Sequence, residues 1–236
     1  LAVGHQTILL ALDEFEALDI AFAQQQLRAD AVLGTIRHII QHRPRFKLLL
    51  AGSHTLDEFQ RWSSYLINAQ TIHLGYLRDQ ETLQLIERPM PEFPLIYTPE
   101  ASQRIRSLTS GHPYLVQLLC SEIVILKNEQ PPAQRLVATV ADVEVAIPAA
   151  LSKGSSFFAY IGEGQFGPIE KQLLRYLAQN REGQPVLHTA LRVAVADQTY
   201  LSHSLNLLLR REMIEVTPEG YRFQVELIRR WFAQRE

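Results

Sequence analysis

Near the start of the chain, two short apolar runs are set between helical patterns. Ile8, Leu9, Leu10, Ala11 and Leu12 are closed by Asp13 and Glu14; Phe46 to Ala51, apolar apart from Lys47, ends at Gly52 and Ser53. Runs of this length without polar alternation predict strands buried on both faces. Between them, from about Phe15 to His42, Leu18, Phe22, Val32, Ile36, Ile39 and Ile40 recur at helical spacing until Pro44, which has no amide to donate, ends the pattern. Leu56 to Leu66 is predicted helical and Thr71 to Leu77 strand-like. Asp79 is the expected N-cap of a helix through Glu87, which the RPMPEFP stretch stops. Strand, helix, strand, helix, strand predicts a parallel α/β sheet.

Beyond Pro94 the pattern becomes purely helical. Pro99 starts a helix through about Thr109, Gly111 supplies a left-handed C-terminal position, and Pro113 opens a helix to about Lys127. Thr139 and Asp142 stand at capping spacing ahead of Val143, Ala146 and Ile147, predicting a third helix. Ser152 to Gly167 is enriched in glycine and serine and is the expected boundary between modules. Pro168 then begins a helix carrying Leu173, Leu174 and Leu177; a second covers His188 to Val195, and a third places Leu201, Leu205, Leu208 and Leu209 on one stripe. MIEVTPEGYRFQ alternates as two strands around Pro218, Glu219 and Gly220, and Arg229 to Arg235 closes the chain as a short helix. Three helices followed by a β-ribbon is a winged helix-turn-helix order.

Composition narrows the classes without naming a chemistry. With 236 residues, 47% hydrophobic and 20% charged, the chain is expected to pack as one large domain or two small ones. A net charge of -2 gives no global pull toward nucleic acid or anionic lipid. One cysteine excludes an internal disulfide framework, and eight histidines without ligand spacing make no metal pattern, so a cytoplasmic location is expected. Cys120, among Leu118, Leu119 and Ile123, reads as a small core residue. No apolar run is long enough to span a bilayer. Residue 1 is Leu and the methionines are Met90 and Met213, so the expectation is a portion of a longer product.

Asp13 and Glu14 stand at the C-terminal end of a strand, the edge of an open parallel sheet where ligands bind. At such an edge one acid can hold a magnesium ion and the next can orient an attacking water. The same acids, with Glu16, would equally complement the positive end of the helix that follows. Ser53, at the exit of the second strand, would either sense a γ-phosphate or cap the next helix.

Three segments carry a family resemblance. ILLALDEFE resembles a Walker B element, FKLLLAGSHTL a sensor strand, and TSGHPYLVQLLC the GxP-bearing lid of STAND ATPases within the AAA+ superfamily. VADVEVAI and the winged-helix pattern follow in the same order. The resemblance implies the C-terminal part of an α/β P-loop ATPase core at 1–94, a helical lid at 95–151, a linker at 152–167 and a winged helix at 168–236. It implies Asp13 as the magnesium ligand, Glu14 as the catalytic acid that activates water, and Ser53, Gly111, His112 and Pro113 as nucleotide contacts. A tight joint between two helices is the alternative role of Gly111, His112 and Pro113.

The departure from the family is as informative as the match. No GxxxxGK[ST] occurs in the chain, although the amides and lysine of that loop hold the phosphates. ATP and Mg2+ are therefore expected in the parent protein, with none held tightly by these residues alone. The implied partners are the P-loop half of the same core, attached effector domains and further copies of the chain. The helix after Pro113, from Tyr114 to Leu126, contains no arginine, so the usual second-sensor arginine is missing there.

Residues 168–236 carry ten lysines and arginines against eight acids, a weak excess for phosphate neutralisation. Ser202, His203, Asn206 and Arg210, away from the leucine stripe, and Arg222 on the β-ribbon are the candidate contacts to DNA or protein. The leading expectation is a regulatory switch ATPase of STAND type. The alternatives are a DNA-binding winged-helix module of an origin-recognition-like or transposition-type AAA+ ATPase, and a protein-interaction scaffold without activity.

Overall fold

The computed structural model describes residues 7–52, 62, 64–66, 69–164, 166–195 and 200–234. The chain divides into two compact units, Leu1–His73 and Leu74–Glu236. In the first, β1 (Ile8–Leu12) lies parallel to β2 (Phe46–Leu50) in the register Ile8 to Phe46 through Leu12 to Leu50. The crossover holds two helices, α1 (Ala17–Ala23) and α2 (Ala29–His42), where the sequence pattern is continuous. Gln25, at a φ of 58°, turns the chain between them. Phe15, Phe22, Leu33, Ile36, Trp62 and Leu66 form this unit's core, and Phe15 meets the fully buried Trp62 edge-on at 5.1 Å between ring centroids.

Two expectations for this region are corrected. β1 is not buried on both faces: Ile8, Leu9 and Leu10 are 52%, 61% and 41% exposed. An apolar run reports a strand's affinity for cover, whereas burial needs a neighbour, and among the described residues this sheet has two strands. Thr71–Leu77 forms no strand, and Ile72 and Leu74 are exposed. The amide of Leu77 donates instead to the Gly111 carbonyl at 2.9 Å, a single bond rather than a ladder. Most of the expected helix at Leu56–Leu66 lies outside the described residues.

The second unit is mainly helical. α3 (Asp79–Glu87) begins at its expected cap, because the N-cap is Arg78, one residue earlier, and Glu81 reaches back to accept from the Arg78 amide at 2.9 Å. α4 (Pro99–Thr109) is capped by Thr98, whose hydroxyl accepts from the Ala101 amide at 3.2 Å. α5 (Pro113–Glu129) and α6 (Val140–Lys153) pack on it, with Asp142 accepting from the Thr139 amide at 2.8 Å as the capping spacing predicted. Two-residue strands β3 (Ile96–Tyr97) and β4 (Val137–Ala138) run parallel. The glycine- and serine-enriched stretch is helical: α7 (Ser155–Ala159) leads into a π-helical turn at Tyr160–Gly164, and Phe158 is fully buried.

Next come α8 (Pro168–Ala178), α9 (His188–Ala194) and α10 (Leu201–Arg210). β5 (Ile214–Thr217) and β6 (Gly220–Phe223) form the antiparallel hairpin that the alternation predicted, and Gly220 takes a φ of 145° at its turn. α11 spans Glu226–Ala233, three residues earlier than expected, because Glu226, Leu227 and Ile228 are buried and belong to its packed face. One core runs from Ile86 to Phe232 through every α-helix described in this unit.

Polar contacts fasten α11 across that core. Arg104 on α4 pairs with Glu144 and Glu182, and Arg230 on α11 pairs with Glu144, Glu182 and Glu226. Exposed pairs contribute about 0–1 kcal/mol each, against about 1.5–3 kcal/mol for each buried aliphatic side chain. Apolar packing therefore supplies most of the stability, and the ion pairs fix how α4, α6 and α11 align.

The hydrogen bond from Arg104 holds the Glu182 carboxyl at about 2, well below the usual carboxylate range. A depressed folded pKa gives stability that is complete above the unfolded value, about 4.3, and lost as pH falls through the folded one. Chemical denaturation of Glu182→Gln should show a shallower fall in stability than the parent chain between about pH 4.5 and 2. Identical slopes would contradict the assignment.

Candidate functional site

Two constellations stand out, one in each compact unit. In the first, β1 ends where its register places it beside the exit of β2. The Ala51 amide donates to the Leu12 carbonyl at 2.9 Å, and the Phe15 amide returns to the Ala51 carbonyl at 3.2 Å. The turn between these bonds carries Asp13 and Glu14, both exposed. Asp13 Oδ1 accepts from the Glu14 amide at 3.0 Å, and Glu14 adopts a φ of 49°. A glutamate in the left-handed region is held there by its surroundings, here the buried Phe15 that follows it. Ser53 lies outside the described residues.

A residue that the sequence placed only among helix-end acids belongs to this edge. The Glu16 carboxylate and the Phe15 ring occupy the space that a Cβ at Gly52 would take. Gly52 is thus the position where the backbone of β2's exit comes close to the acid-bearing turn. Its glycine was the available sequence signal, since close backbone approach is what a glycine at a strand end permits.

The second constellation is the joint of α4 and α5. Ser110, at a φ of 48°, and Gly111, at 75°, end α4 in the left-handed region; His112 caps α5 and Pro113 takes its first turn. A Cβ at Gly111 would collide with the Leu77 carbonyl oxygen and crowd the Thr82 hydroxyl. His112 lies between Tyr76 and Phe157, with ring centroids 4.9 and 5.3 Å away, and Tyr114 meets Phe157 at 4.5 Å. Burial lowers the His112 pKa from 6.5, and its buried Nδ1 has no hydrogen-bond partner among the described residues. Pro113 and Tyr114 are exposed, so the turn has an outer face that a planar ring could approach.

The remaining sequence-derived candidates fall on the hairpin module. Ser202, His203, Asn206 and Arg210 are exposed on α10, with Ser202, Asn206 and Arg210 four residues apart along one face. Arg222 is held by its cross-strand partner: Nε donates to Glu215 at 2.6 Å and a terminal nitrogen to the Gly183 carbonyl at 3.3 Å. Cys120 is a core neighbour, its thiol pushed up to about 12 by burial. Among the described residues, no group of three or more His, Cys, Asp or Glu side chains could hold a metal ion, and no helix is long and apolar enough to cross a membrane.

No protein-family model matches the chain, and no curated protein matches it in sequence. Solved structures do. A Walker-type ATPase of Pyrococcus abyssi matches over 96% of this chain and 63% of its own, at 13% identity and a TM-score of 0.60. RuvB of Thermotoga maritima, a Holliday junction branch migration motor, matches over 91% of this chain and 66% of its own, at 18% identity and a TM-score of 0.46. This chain therefore spans less than two thirds of either structure. The likeness to the Walker-type ATPase is one of fold: a mainly helical protein with a small parallel sheet.

Two outcomes follow from the α4–α5 joint. Gly111→Ala should lower unfolding stability by about 2 kcal/mol, from the left-handed backbone and the collision at Leu77 together, measured by urea denaturation; a change below the error of the fit would contradict the geometry. His112 should titrate below 6.5 in an NMR pH series. Its depressed value contributes stability above the unfolded pKa of about 6.5 that declines as pH falls through that value toward the folded one.

Proposed function

We propose that this chain is the C-terminal portion of a STAND-type AAA+ ATPase, in which ATP binding and hydrolysis switch conformation or assembly. Its phosphate-binding loop would be supplied by a preceding part of the same polypeptide. The observation that carries the reading is the turn after β1, where Asp13 and Glu14 are presented at the C-terminal edge of two parallel strands. The likeness of fold to a Walker-type ATPase supports it.

The donor set at that turn suits magnesium. Mg2+ keeps several waters and is typically held by one or two carboxylates together with substrate phosphates, so no dedicated protein cage is required. Asp13 spends one oxygen on the Glu14 amide, which leaves its second oxygen for the ion. The ion would neutralise phosphate charge when bound. Glu14 would accept a proton from the attacking water, Ser53 would sense the γ-phosphate, and Gly111, His112 and Pro113 would touch the base. In this reading the ATP-bound form favours an open or assembled state and hydrolysis resets it. The three helices and hairpin of residues 168–236 would serve as a winged helix making internal protein contacts.

A DNA-binding reading draws on the exposed face of α10 at Ser202, His203, Asn206 and Arg210. The pairing of Arg222 with Glu215 counts against it, because a guanidinium already engaged on its own hairpin neutralises less phosphate.

In the polypeptide that carries the phosphate-binding loop, Glu14→Gln should lower ATP turnover by about 10²–10⁴-fold, the range for loss of a general base, while ATP still binds. Unchanged turnover would remove Glu14 from the catalytic role.

A further inference from the structure

Ser110 to Pro113 does more than join two helices, because three separate contacts run from it to the C-terminal part of the unit. The Ser110 hydroxyl donates to the Gln224 carbonyl at 2.5 Å, across 114 positions of sequence, immediately after β6. Tyr76, whose ring lies tilted against His112, brings its hydroxyl to 3.5 Å from the Glu212 carbonyl, two residues before β5. These two acceptors flank the hairpin, and the Gln224 amide itself donates to the Met213 carbonyl at 3.1 Å. The third path is a line of rings: His112 to Phe157, Phe157 to Phe158 at 5.4 Å, and Phe158 stacked on Trp231 of α11 at 5.8 Å.

We propose that the Ser110–Pro113 turn and the β5–β6 hairpin form one relay, through which contact of a ligand with the turn alters the order of the hairpin and the hairpin alters the turn. Naming that ligand as a nucleotide rests on the function proposed above; the mechanical link rests on the three contacts alone. The positions suit the task. Ser110 and Gly111 hold left-handed backbone conformations, so a small displacement of His112 is passed into the Ser110 hydroxyl and the Tyr76 ring rather than absorbed by a pliant loop. Both acceptors are backbone carbonyls at the hairpin's base, so their loss loosens the strand ends without removing a core side chain. Coupling between two sites is reciprocal, which makes the hairpin a regulator of the turn as much as its reporter.

Hydrogen exchange on the 236-residue chain tests the link. Ser110→Ala and Tyr76→Phe each delete one hydroxyl and keep the surrounding volume. Each should speed amide exchange across Met213–Gln224 about fivefold, the effect of one lost hydrogen bond, and should shift the NMR titration midpoint of His112. Thr217→Val, which removes only the two local bonds of its hydroxyl within the hairpin turn, is the control for nonspecific loosening. Faster exchange confined to residues 108–112, with hairpin amides unchanged in both variants, overturns the proposal. Loosening of the hairpin by both hydroxyl deletions supports it. With ATP and magnesium added to the polypeptide that includes the phosphate-binding loop, hairpin protection that disappears in Ser110→Ala supports the full relay. ATP binding without any change in hairpin exchange overturns transmission from a nucleotide, even where the substitutions alone establish the mechanical link.

Discussion

The hydrogen bond from the Leu77 amide to the Gly111 carbonyl exists only because residue 111 has no side chain. That contact brings the segment before α3 against the end of α4, and the rest of the second unit is arranged around it. Thr82 closes the same spot with its hydroxyl on the Leu77 and Arg78 carbonyls, at 3.3 and 3.0 Å. With Gly111 fixed, His112 is placed between Tyr76 and Phe157, and Pro113 sets the direction of α5. A larger residue at 111 would have to move α3 or leave the left-handed region, and either shift would separate the two aromatic rings from His112.

The same unit shows a division of labour between apolar and polar contacts. Its single core provides the stabilisation, while Arg104 and Arg230 share Glu144 and Glu182 along one seam. Inside the bundle, Asp142 meets Lys127 at 3.3 Å and Gln130 at 3.0 Å besides capping its own helix. A buried pair of this kind adds little net stability over an apolar replacement, but removing one partner costs about 3–5 kcal/mol. Such pairs therefore select one alignment of helices over its neighbours. For a switch, one well-defined resting alignment is a prerequisite, because a ligand can bias only states that are discrete.

Much of the local architecture was legible in the sequence, since it follows from local chemistry. The helix joint at Gly111, His112 and Pro113, the Thr139–Asp142 capping pair and the hairpin about Gly220 each depend on residues within a few positions of one another. What was not legible depends on tertiary neighbours. The run Ile8–Leu12 reads as a strand, yet nothing in it reveals how much cover its faces receive. Thr71–Leu77 has strand-like composition, but its one described backbone partner is a glycine 34 positions onward. Arg78 displaces Asp79 as the helix cap because Glu81 can reach the Arg78 amide, a choice between adjacent residues that propensity does not resolve. In the two candidate constellations, Asp13 and Glu14 in the first and the Gly111–Pro113 turn in the second were visible as motifs. Glu16, Tyr76, Ser110 and Gln224 were not, because their partners lie elsewhere in the chain or belong to the backbone.

The central proposal is that Asp13 and Glu14 act together with a phosphate-binding loop supplied by another part of the polypeptide. Titration of labelled ATP with magnesium tests it most directly, performed on this chain and on the polypeptide that carries the loop as well. The account predicts saturable binding by the longer polypeptide and little or none by the 236 residues alone. Binding by neither would contradict it, leaving Asp13 and Glu14 as acids at a helix start and His112 as a buried joint between helices.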